Sequence, residues 1–100
     1  MKIGPITYKV KKAKDLRSIK DEKLYGLYDA DVGVISIDDL CPENRQRSVL
    51  LHEIFHGIWA SQSLYKTDYA KHEEEIVSLM STMMMQFLQD NKQLVKELSK

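Results

Sequence analysis

The chain has 100 residues, which fits one domain spanning 1–100 and not two. Its 15 basic and 15 acidic residues balance, which argues against a nucleic-acid binder, where a basic excess is usual. No stretch approaches the roughly 18 unbroken apolar residues of a membrane span, and the first ten residues lack the apolar core of a signal peptide.

In chain order, Ile6 to Lys12 alternates apolar Ile6, Tyr8 and Val10 with Thr7, Lys9 and Lys11, the pattern of a strand. Lys9, Lys11, Lys12, Lys14 and Arg17 make this region locally basic, and a solvated strand edge explains them better than a binding patch. Ala13 to Lys23 is polar and reads as a loop or one short helix. Leu24 to Tyr28 and Val34 to Ile37 read as two strands of a hairpin, joined by Asp29-Ala30-Asp31-Val32-Gly33, where Asp and Gly suit a turn.

The lone cysteine, Cys41, excludes an intramolecular disulfide and suits a reducing cytoplasm. It is expected to be a small half-buried residue. Pro42 fits the first turn of a helix, and helical sequence follows from Glu43 to Ser61. Gln62 to Tyr69 is a connection. A second long helix is predicted from Ala70 to Gln89, broken at Asp90-Asn91, which can cap a short last helix carrying Leu94, Val95 and Leu98. Strands first and helices after give an α+β domain: a small N-terminal antiparallel or mixed sheet packed on two long helices, plus a short C-terminal helix.

The first long helix carries His52-Glu53-Ile54-Phe55-His56. Residues i and i+4 are neighbours on one helix face, so His52 and His56 can present two imidazoles to one metal ion. Glu53, offset by about 100° from His52, can reach a water on that metal without being a ligand. On a helical wheel Leu50, Leu51, Ile54, Phe55, Ile58 and Trp59 form one apolar arc, while Val49, His52, Glu53 and His56 form the complementary one. A lone histidine on an apolar helix is usually a core or surface residue; two at this spacing around a glutamate are less easily explained that way.

Two histidines leave a zinc site incomplete, since a catalytic zinc usually has three protein ligands. The second helix begins His72-Glu73-Glu74-Glu75. Its buried arc is read as Ile76, Val77, Leu79, Met80, Met83, Met84 and Phe87, with the methionines as core fill. Glu75 falls on the polar side. Glu73 falls near the middle of the arc, and Glu74 at its border in line with Ser78 and Ser81. Glu74 leads as third ligand and Glu73 is second. An acidic first turn that complements the helix dipole explains part of the cluster, but not an inward-facing Glu73.

With these residues in place, the chain from Leu24 to Asn91 resembles the small gluzincin-like metallopeptidases, including the ImmA/IrrE type and the minigluzincins. The resemblance rests on the hairpin running into Ile35-Ser36-Ile37, the acidic turn and helix start, Leu50-Leu51-His52-Glu53-Ile54-Phe55-His56, and the acidic second helix. It implies a phage- or prophage-type protein. It implies a third-ligand glutamate followed by a small residue at +3, a polar one at +4 and a small one at +7. Glu74 places Val77, Ser78 and Ser81 there, and Ser78 stands where the family more often has Asn or Asp. The resemblance also implies that a substrate peptide lies along the edge strand preceding the motif helix, here Val34 to Ile37.

The expected function is hydrolysis of peptide bonds with Zn2+ as cofactor: metal ligands His52, His56 and Glu74, and Glu53 as general base. Tyr65, Tyr69 and His72 are candidates for the oxyanion donor because they lie in or just after the connection between the helices. By analogy the substrate is a protein, such as a cytoplasmic regulator of transcription. The alternative is a non-catalytic zinc-containing interaction module of the same fold. A nucleic-acid-binding protein using the basic N-terminal strand is a distant third.

Overall fold

The computed structural model describes all 100 residues, the side chain of Tyr65 excepted. Two short strands, β1 (Lys2–Ile3) and β2 (Ile6–Thr7), form an antiparallel pair. Gly4 makes the turn between them with φ +57°, where any Cβ would be strained and would also strike Ser61 Cβ at 2.8 Å. Strands β3 (Lys9–Ala13), β4 (Gly26–Asp29) and β5 (Val34–Asp38) form a second sheet in the order β3-β5-β4. The helices are α1 (Glu43–Ser61), α2 (Glu73–Asp90) and α3 (Lys92–Leu98), with two short 3-10 turns, Leu64–Lys66 and Asp68–His72, between α1 and α2. This is an α+β fold, and no helix among the described residues is long and apolar enough to cross a membrane.

The single strand expected over Ile6 to Lys12 is divided at Tyr8, where the chain leaves the first sheet and enters the second. Tyr8 donates its backbone N–H to Met1 O at 2.7 Å. Its ring is buried 5.6 Å from that of Tyr28, and its hydroxyl donates to the Tyr28 hydroxyl at 3.1 Å. The hairpin is as expected: β4 and β5 pair antiparallel from Gly26↔Ile37 to Asp29↔Val34, and Gly33 takes φ +66° just before β5.

The register gives two corrections. First, Val34 to Ile37 is not an edge. β5 runs parallel to β3 on one side, Lys9↔Val34 to Ala13↔Asp38, and antiparallel to β4 on the other. The edges are β3, whose exposed lysines suit a solvated edge, and β4. Second, the sheet packs on one long helix rather than two. The backbone of α1 lies against β1, β4 and β5, while that of α2 lies against α1, the second 3-10 turn and α3. The layers are therefore sheet, α1, α2.

The core sits between sheet and α1. Ile3, Tyr8, Ile35, Ile37 and Cys41 are buried there, with Tyr28, Val49, Leu50 and Ile54 packed on them. Cys41 is fully buried rather than half-buried. α1 follows the predicted bounds, but its buried residues are Glu53, Gly57 and Trp59. The arc expected to be buried is only partly so, and Ile58 is exposed. The reason is that α1 is covered on two sides, so the face bearing the motif is also an interior face. Gly57 makes this possible: a Cβ there would lie 2.9 Å from Ile3 Cδ1.

For α2 the arc read from the sequence is largely wrong. Val77 and Ser81 are buried, while Leu79, Met80, Met83 and Phe87 are exposed. Only the side toward α1 is covered, and small serines let the helices approach there. Asn91 also does not cap α3; its side-chain amide donates to Phe87 O at 3.0 Å and closes the end of α2.

Ala13 to Lys23 is a loop, closed by an isolated bridge between Arg17 and Lys23. It is anchored on Asp38, the fully buried last residue of β5. Asp38 Oδ2 accepts the Leu16 N–H and the Lys23 ammonium, each at 2.6 Å, and Oδ1 accepts the Leu40 N–H at 2.8 Å.

Candidate metal centre

His52 and His56 lie one helical turn apart on α1, their rings 4.9 Å apart and edge-on at 69°. Their Nε2 atoms come within 3.2 Å of each other. The carboxylate of Glu74 closes the group from α2: Oε1 is 2.9 Å from His52 Nε2, and Oε2 is 2.9 Å from His56 Nε2. One ligand atom from each of these three residues lies within 4.8 Å of the others. A zinc ion bound at about 2.0–2.1 Å with tetrahedral angles separates its ligand atoms by about 3.3 Å. Two imidazoles and a carboxylate are a suitable donor set for that ion.

The two glutamates differ in position. Glu74 faces the two Nε2 atoms, whereas Glu73 sits behind His56, its Oε2 2.6 Å from His56 Nδ1. A carboxylate in that place fixes the Nδ1–H tautomer and leaves Nε2 free as a ligand atom. Glu73 is thus the inward-facing carboxylate the wheel suggests, and its partner is an imidazole. Ser78, one turn beyond Glu74, donates its hydroxyl to Glu74 Oε1 at 3.4 Å. It touches the candidate ligand carboxylate and no motif histidine. Glu75 is exposed with His72 Nδ1 at 3.7 Å, outside the group, as expected.

Glu53 is buried beside the histidines. Burial pushes its carboxyl above the usual range, against the pull of the His56 and His52 charges and the Tyr28 backbone N–H. Gly26 makes room for it: a Cβ there would lie 2.6 Å from Val49 Cγ1 and 3.0 Å from Glu53 Cγ.

A cavity of about 470 Å³ opens over the group, with His52, Glu53, His56 and Glu74 on one wall and Gly26, Leu27 and Tyr28 of β4 on the other. Asp38 N–H bonds to Tyr25 O at 2.8 Å, so residues 25, 27 and 29 carry the ladder to β5. By the alternation of an antiparallel pair, Gly26 and Tyr28 turn their backbone groups outward, to the cavity side. Ser18 of the anchored loop and Leu24 just after it complete the rim. Nothing in the polar sequence of this loop marks it as part of the site.

The oxyanion candidates fare differently. Tyr69 and His72 are exposed and line neither cavity that borders the site. The Tyr65 side chain lies outside what the structure describes. No known family model, characterised protein or solved structure matches the chain, so what the site can do is argued from the geometry of its own residues.

Proposed function

We propose that this protein is a zinc-dependent peptidase, with His52, His56 and Glu74 as the metal ligands and Glu53 as the general base. The observation that carries the reading is the convergence of two imidazole Nε2 atoms and one carboxylate from a second helix, with a buried, unligating Glu53 beside them. A purely structural site would not require that fourth group, and a buried carboxylate is costly.

A bound divalent ion supplies Lewis acidity to a water and to a substrate carbonyl. The rest is work for the chain's own residues. Glu53 takes a proton from the attacking water at a carboxylate oxygen and returns it to the leaving amine. Glu73 holds the His56 ring in one tautomer, and Ser78 steadies Glu74. The free edge of β4, not β5, is the strand on which an extended peptide can add through the outward backbone groups of Gly26 and the Tyr28 carbonyl, the Tyr28 N–H being turned to Glu53. The lone buried Cys41 suits the cytoplasmic setting in which we place the protein.

The test is elemental mass spectrometry of the purified chain, followed by hydrolysis of a denatured protein substrate. About one zinc per chain is expected, lost in His56→Ala, and retained in an inactive Glu53→Gln. Zinc retained with equal biological effect in wild type and Glu53→Gln supports the non-catalytic interaction module instead.

A further inference from the structure

Past His52, on the side away from His56, a second cavity of about 540 Å³ continues from the site between α1 and α2. It shares Gly26, His52 and Glu53 with the first, so an occupant of one is within reach of the other. Apart from Glu53 and His52, the only ionisable side chains on its wall are Arg45 and the Tyr25 phenol. The Arg45 guanidinium lies over the Tyr25 ring at 5.4 Å from its centroid. Among the described residues, no carboxylate is within ion-pair distance of it.

Hydrogen-bond capacity on the wall is uneven. Ser81 and Thr82 spend their hydroxyl protons on Ser78 O, and Gln86 donates to Asp90. Arg45 and Ser48 make no side-chain hydrogen bond among the described residues. They stand at i and i+3 of α1, on the face that carries His52 two turns on. From Arg45 to His52 is about 10 Å along the helix at about 1.5 Å per residue, the reach of a side chain from a residue close to the bond cleaved. A basic side chain here meets a guanidinium that has no carboxylate partner, and an aliphatic one leaves Arg45 and Ser48, both exposed, hydrogen-bonded to water alone. A carboxylate satisfies both, through charge-assisted hydrogen bonds.

We infer that this cavity is a specificity pocket for an acidic side chain, and that the peptides bound carry Asp or Glu within two residues of the scissile bond. The inference rests on the peptidase reading for the words "scissile bond", but the pocket's preference is measurable without cleavage. Fluorescein-labelled decapeptide pools, random in Ala, Ser, Leu and Val except for one central Glu, Gln or Lys, are titrated with the zinc-loaded full chain by anisotropy. The Glu pool is expected to bind about tenfold tighter than the Gln pool, an advantage that shrinks with added salt. Arg45→Gln should erase the difference by weakening the Glu pool about tenfold, and Arg45→Glu should turn the preference to the Lys pool. Equal binding of the Glu and Gln pools, no binding of either, or an unchanged preference in Arg45→Glu overturns the proposal. Preference for the Glu pool without hydrolysis of any peptide leaves the pocket standing and removes the peptidase reading. Hydrolysis indifferent to acidic residues does the reverse.

Discussion

Glu73 and His56 are joined across the α1–α2 interface by a carboxylate–imidazole contact of 2.6 Å, Oε2 to Nδ1. Glu73 is half-buried and meets His56 at Nδ1 rather than Nε2, the position of an orienting group and not of a ligand on the proposed zinc site. Partners of this kind typically change metal affinity by about 10–100-fold when removed. Glu73→Gln should therefore weaken zinc binding by about that factor in a chelator competition. Glu74→Ala, which removes a ligand, should weaken it more. Equal losses would mean that the two carboxylates are not distinct in role.

Zinc should also hold α1 and α2 together. A ligand at about 1,000 times its Kd stabilises the folded state by about 4 kcal/mol, and about 1 kcal/mol moves the Tm of a domain this size by roughly 4–8 °C. Chelator treatment is expected to lower the Tm by more than about 10 °C in calorimetry. In Glu74→Ala most of that difference should vanish, because the ion is then weakly held from the start.

Gly26 is where the β4 edge and the candidate base meet. A methyl group there would sit 2.6 Å from Val49 Cγ1 and 3.0 Å from Glu53 Cγ. Gly26→Ala should cost about 1–3 kcal/mol in urea unfolding, the usual penalty for overpacking. It should also displace Glu53, so hydrolysis should fall while zinc content stays near that of the wild type. A variant as stable as wild type would show that β4 can shift away from α1.

Asp38 gives an acid limit. The Lys23 ammonium and the Leu16 and Leu40 N–H groups hold its carboxyl at about 2, below the ordinary 3.8. A carboxyl depressed on folding contributes stability that is full above its unfolded pKa and is lost as pH falls through the folded one. The Asp38 contribution should thus fade between about pH 4 and about pH 2. Asp38→Asn should be less stable at pH 7 and show a shallower acid transition by circular dichroism. Lys23→Met should unfold on acidification at a higher pH than the wild type does.

Much of this arrangement was legible in the residues. Helix α1 begins and ends as its sequence signals, and the spacing of His52, Glu53 and His56 is enough to put them on neighbouring faces of it. Glu74 was chosen over Glu73 because it lines up with Ser78 and Ser81, and those serines do face α1. The strand order was not legible. Pairing Lys9–Ala13 with Val34–Asp38 is a long-range parallel contact, and alternation within a strand does not say which neighbour it takes. The α2 wheel misled for a related reason. Periodicity marks which side is apolar, but α2 is covered on one side only, where Val77 meets α1 beside small Ser81. Leu79 and Met83 are left outside because no further layer lies over them.

The layering also bears on how the molecule comes apart. His52, Glu53 and His56 ride on a helix clamped against the sheet, but Glu74 rides on one whose backbone leans on α1, a 3-10 turn and α3. On the proposed ligation, the coordination shell is split between the helix that packs on the sheet and the helix that packs on α1. An opening in which α2 lifts with α3 would dismantle that shell at the carboxylate and leave both imidazoles in place. Amide exchange along 73–98 and the exchange rate of the ion are then two views of one event.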